Sequence, residues 1–74
     1  QKRHGLNPYQ LEKKLAQVET QIEQLETRLA DLTDAITQAS SEGKAAQVEA
    51  LGEQYNQAEA DLAAAMAEWE VLAE

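Results

Sequence analysis

The chain contains no cysteine and no phenylalanine, and only one proline, one tryptophan, one histidine and three glycines among its 74 residues. Each scarcity removes a class of protein. Without cysteine there is neither a disulfide framework nor a thiolate metal site, and the single His4 would need several carboxylates around it to hold an ion. No metal ligands are assigned. With little proline, glycine or β-branched residue, and with Glu, Gln, Ala and Leu abundant, the composition is that of long helices and excludes an all-β or α/β fold. No apolar run approaches the roughly 18 residues of a membrane span, and no basic-then-apolar leader opens the chain, so a soluble chain with no membrane partner is expected. The opening at Gln1 reads as a piece cut from a longer protein.

What is present is a pattern. From Leu11 the apolar residues step by four and three through Leu15, Val18, Ile22, Leu25, Leu29, Leu32, Ile36 and Ala39, and again through Val48, Leu51, Tyr55, Ala58, Leu62, Ala65, Trp69 and Leu72. Two such stripes are heptad seams of two helices. Between them lies Ser40-Ser41-Glu42-Gly43-Lys44, where Gly43 suits a left-handed helix end and either serine suits a cap. A link this short makes neighbouring helices antiparallel. The expected fold is all-α, a two-helix antiparallel coiled-coil hairpin. Residues 1–7 are expected to form a linker and 8–74 the hairpin, with helices at about 8–40 and 45–73 and a turn at about 41–44. Asn7 and Pro8 supply the cap and first turn of the first helix. Two registers satisfy the stripes. One is centred on Gly43 and pairs Leu25 with Leu62; the other, slid along, pairs Leu32 with Val48. The first is preferred because it centres the turn.

The net charge of -8 is unevenly spread. Lys2, Arg3, Lys13 and Lys14 cluster at the start, and beyond them Arg28 and Lys44 stand alone against a long run of acids. Phosphate affinity comes from clustered cations, so only the start, with Arg28 further along, could touch nucleic acid. Attraction to the acidic end of the second helix, at Glu68, Glu70 and Glu74, explains the cluster at least as well. Trp69 is expected in the core, sealing the open end of the hairpin. Alternatively Tyr9, Met66, Trp69 and Leu72 form a protein-docking end, with Tyr9 joining Trp69. A nucleotide loop would need Gly-x4-Gly-Lys-Ser/Thr, and the string from Gln38 to Ala45 lacks its first glycine and its hydroxyl. The carboxylates have no buried site in which to work as catalytic pairs, so the chain is read as no enzyme.

The basic opening, the Asn7-Pro8-Tyr9 start, the two heptad arms and the closing Ala65-Met66-Ala67-Glu68-Trp69-Glu70-Val71-Leu72 resemble the C-terminal coiled-coil domain of ABC-F ATPases, the Uup-like proteins with tandem ATP-binding cassettes. Met66 stands where that family often has tyrosine, and Gly5-Leu6-Asn7-Pro8-Tyr9 replaces its more basic opening. The resemblance implies a cytoplasmic parent that binds ATP and magnesium in cassettes outside this chain and acts on ribosomes in translation or on DNA. It implies no cofactor in the chain itself. Partners would be the parent's cassettes and DNA or ribosomal RNA, reached through Lys2, Arg3, Lys13, Lys14 and Arg28. The other reading is a structural or protein-docking coiled coil, monomeric or weakly dimeric, with no nucleic-acid binding. The tRNA-contacting arm of a synthetase such as the valyl enzyme is a third candidate, disfavoured because that arm should be more basic.

Overall fold

The first helix starts where its backbone donors find an acceptor. Asn7, in an extended conformation, accepts a hydrogen bond on Oδ1 from the Gln10 N–H at 2.8 Å, and Pro8 occupies the first turn, where no N–H is needed. In the computed structural model, which describes residues 5–74, α1 runs Pro8–Ser41 and α2 runs Ala45–Leu72. Residues 1–4 lie outside the described residues. The described chain is a hairpin measuring 54 × 16 × 12 Å, with no strand among the described residues.

Gly43 makes the turn. Its φ of 72° is the left-handed conformation, which lets the Gly43 N–H reach the Ser40 carbonyl at 3.1 Å and the Lys44 N–H reach the Ala39 carbonyl at 3.0 Å. That pair of bonds closes the last turn of α1 and sends the chain back along it. Of the two serines, Ser41 satisfies a backbone group at the turn by donating its hydroxyl to the Gln38 carbonyl in the last turn of α1, while Lys44, the cap of α2, makes no side-chain capping bond.

The grooves between the helices identify the register. Ala35 and Ala39 share one with Gln47 and Leu51, Leu25 shares one with Asp61, Ala64 and Ala65, and Ile22 shares one with Met66 and Trp69. These neighbours fit the register centred on Gly43; the slid register would bring Leu25 to Tyr55. The arms are unequal, at 34 and 28 residues. With a rise of about 1.5 Å per residue, the first turns of α1 extend roughly 9 Å past the end of α2.

Each stripe consists of two lanes, and they are not equivalent. One lane holds Val18, Leu25, Leu32 and Ala39 on α1 with Leu51, Ala58, Ala65 and Leu72 on α2. Every buried residue among those described lies in it: Val18, Leu32, Ala39, Ala58, Ala65 and Leu72. The other lane holds Leu15, Ile22, Leu29 and Ile36 with Val48, Tyr55, Leu62 and Trp69, and all of these are half-buried or exposed. The alanines of the first lane let the backbones approach and shut out water. Bulkier side chains in the second lane project past the seam.

Two glycine substitutions test this account in opposite directions. At Gly43 an alanine would have to adopt a left-handed φ, with an expected loss of about 1–2 kcal/mol. At Gly52, inside α2, an added Cβ meets nothing within 4 Å, so Gly52→Ala is expected to stabilise by about 0.5–1 kcal/mol. Thermal unfolding of both variants, followed by circular dichroism, should move the midpoint down for the first and up for the second.

Candidate functional site: an open and a closed side of the hairpin

The two lanes face opposite sides of the molecule, and the residues flanking each lane decide how it meets solvent. Beside the buried lane stand Lys14, Gln21 and Arg28 on α1 and Gln54, Asp61 and Glu68 on α2. They reach across the seam: Lys14 Nζ lies 3.4 Å from Glu68 Oε2, and Arg28 Nη2 donates to Gln54 Oε1 at 3.3 Å. Exposed contacts of this kind contribute little stability, about 0.2–1 kcal/mol each. Their methylene stems run along the seam, and a groove of about 410 Å³ remains beside Leu25, Ala64 and Ala65. This bridged side is termed closed.

Beside the second lane stand Glu12, Glu19 and Glu26 at heptad spacing on α1, then Thr33 and Ser40, with Gly52, Glu59, Met66 and Ala73 on α2. Apart from Met66 these are short or acidic, and they make no bridge among the bonds described above. The side is open. It holds a groove of about 400 Å³ lined by Ile22, Met66 and Trp69, with Glu19, Glu23 and Glu70 around it.

The expected site residues fall in different places. Trp69 is 38% exposed and lines the open groove, so it does not seal the end of the hairpin; Leu72, 5% exposed, does that instead. The reason is the lane each occupies. Leu72 is therefore corrected from a docking residue to a core residue, while Met66 and Trp69 do share an exposed surface. Tyr9, 73% exposed, does not join them. It lies on the part of α1 that outruns α2, in a separate groove with Leu6, Gln10, Lys13, Lys14 and Gln17. Among the proposed phosphate contacts, Lys14 is paired with Glu68 and Arg28 is bonded to Gln54. Lys13 lines the Tyr9 groove, and Lys2 and Arg3 lie outside the described residues, as does His4. Reading the sequence by charge count missed Glu19, Glu23 and Ile22. The signal was there in Glu12, Glu19 and Glu26, one per heptad beside a single lane.

The turn is not built as a phosphate loop. The segment nearest to a phosphate loop is the turn, and there the N–H groups of Glu42, Gly43 and Lys44 are bonded to the carbonyls of Gln38, Ser40 and Ala39. Lys44 Nζ lies 2.8 Å from Glu42 Oε1. No cradle of free donors is left. Among the described residues, no group of His, Asp and Glu is placed to hold a metal, and no helix is long and apolar enough to cross a membrane.

The arrangement thus defines a class: an all-α coiled-coil hairpin. The chain belongs to the ABC transporter C-terminal domain family, whose model matches residues 7–74. Such a domain is an accessory part of ABC proteins and is not their catalytic part. No curated protein and no solved structure gave a match.

The turn also carries a pH signature. The Lys44 ammonium, and secondarily the Gln38 amide, which donates to Glu42 Oε2, hold the Glu42 carboxyl below its ordinary value of 4.5. A depressed pKa stabilises the fold above the unfolded value, and that contribution is lost as pH falls through the folded value. Glu42→Gln should therefore lower the unfolding midpoint at neutral pH. In strongly acidic buffer the gap from wild type should close, which melting curves across pH would reveal.

Proposed function

We propose that the chain is the non-catalytic coiled-coil accessory domain of an ABC-F ATPase and that it works by docking on protein. The parent's cassettes would carry ATP and magnesium, in the cytoplasm, and the hairpin would act as a monomer or weak dimer beside them. Membership of the C-terminal domain family supports the accessory role. The observation that favours protein over nucleic acid is the use already made of the cations. Two of the proposed phosphate contacts, Lys14 and Arg28, engage Glu68 and Gln54, and the charged residues around the exposed apolar groove are carboxylates. A polyanion approaching that side meets like charge.

One feature favours a second reading. Tyr9 stands exposed beside Lys13 on the overhanging start of α1, and an aromatic ring next to cations is the usual equipment for stacking a base and holding its phosphate. On that reading the hairpin contacts DNA or ribosomal RNA at this end alone, with Lys2 and Arg3 adding charge.

The two readings separate in a titration against labelled single- and double-stranded DNA and an RNA hairpin at low and moderate salt. Protein docking predicts no saturable binding even at low salt. Binding that weakens steeply with salt and disappears when Lys2, Arg3, Lys13 and Lys14 are replaced by alanine would establish the nucleic-acid reading instead.

A further inference from the structure

Beyond the role of an accessory domain, the open side identifies the kind of partner that would fit it. Its floor is apolar and adaptable. Ile22 and Trp69 come from the exposed lane, and Met66 adds a flexible thioether of the sort common on surfaces that accept helices. Its walls are anionic, with Glu19 and Glu23 on one helix and Glu70 on the other. Glu26 and Glu59 continue the same flank toward the turn. The described cations are elsewhere: Lys14 and Arg28 on the closed side, Lys44 in the turn with Glu42, and Lys13 in the Tyr9 groove.

An occupant must therefore bring apolar side chains and positive charge together. A second copy of this hairpin does not qualify, because joining two open sides would press carboxylate against carboxylate. An RNA or DNA backbone has the wrong sign. We infer that the groove of Ile22, Met66 and Trp69 binds a basic amphipathic helix of a partner protein. Its apolar stripe lies along the exposed lane, and its lysines or arginines lie over Glu19, Glu23 and Glu70. The inference rests on the protein-docking reading and specifies the surface and the partner chemistry.

Trp69 is the sole tryptophan of the chain, so it reports on its own groove. The 74-residue chain is titrated with a tryptophan-free leucine–lysine peptide of helical period, and with its leucine–glutamate counterpart, while Trp69 emission is followed. A saturable blue shift is expected with the first and none with the second. Replacing Glu19, Glu23 and Glu70 by glutamine should weaken binding by about tenfold, as loss of several rim charge contacts would. Replacing Asp61 by asparagine and Glu68 by glutamine, on the closed side, should change it by less than about threefold. No shift with the leucine–lysine peptide would overturn the inference. So would equal weakening by the two sets of substitutions, which would mean diffuse charge attraction, or equal binding of both peptides. Sedimentation of the free chain adds one more check, since a dimer with Trp69 already blue-shifted would place a second copy in the groove. Nucleic-acid binding through the basic end is scored separately, so it would sink the protein-docking reading without being mistaken for failure at this groove.

Discussion

The bond from the Lys44 N–H to the Ala39 carbonyl, made possible by the left-handed Gly43, sets the phase of everything that follows it. A heptad stripe alone tolerates sliding by one layer, since each register still pairs apolar with apolar. The turn removes that freedom. With Ala39 tied to the start of α2, Leu25 is brought beside Ala65 rather than Tyr55, and Trp69 is brought beside Ile22. The grooves and their charges are consequences of that one geometric choice.

Given the register, the two sides diverge for reasons of size and reach. Ala39, Ala58 and Ala65 sit in one lane, so the backbones close there and Val18 becomes almost inaccessible at 1% exposure. The long flanking residues on that side bridge the seam through Lys14 with Glu68 and Arg28 with Gln54. On the other side the flanking positions, apart from Met66, are glutamates of like charge or residues too short to bridge. No bridge among the bonds described crosses this lane, and Trp69 is 38% exposed in it.

Much of the fold was legible in the sequence, and the limits of that legibility are instructive. Pro8, Asn7 and Gly43 announce their roles because each satisfies a backbone requirement that few other residues meet. The heptad spacing announces two antiparallel helices. It treats the two lanes alike, however, so Trp69 and Leu72, three residues apart in one stripe, look interchangeable until the register places small residues and bridging flanks on one side only. Hence both are open to a core and a docking reading, whereas Leu72 is buried at 5% and Trp69 is 38% exposed. Tyr9 is misplaced for another reason. Joining it to Trp69 presumes arms of equal length, whereas α1 outruns α2. For the cations, the attraction to the acidic end of α2 that the sequence suggests holds for Lys14, which pairs with Glu68.

The same asymmetry bears on what an accessory hairpin of an ABC protein can contribute. A rod about 54 Å long with both lanes sealed would serve as a spacer, indifferent to what lies beside it. This rod has a direction around its axis. Its closed side carries both signs of charge and is neutralised internally, so it attracts little. Its open side combines an unfilled apolar lane with uncompensated carboxylates. Apolar contact supplies affinity, and charge of a single sign supplies selection, because it raises the encounter rate with cationic surfaces and penalises the rest. Both properties depend on residues outside the buried lane, Trp69 and the glutamates beside it, so they can vary while Val18, Ala58 and Ala65 hold the seam together.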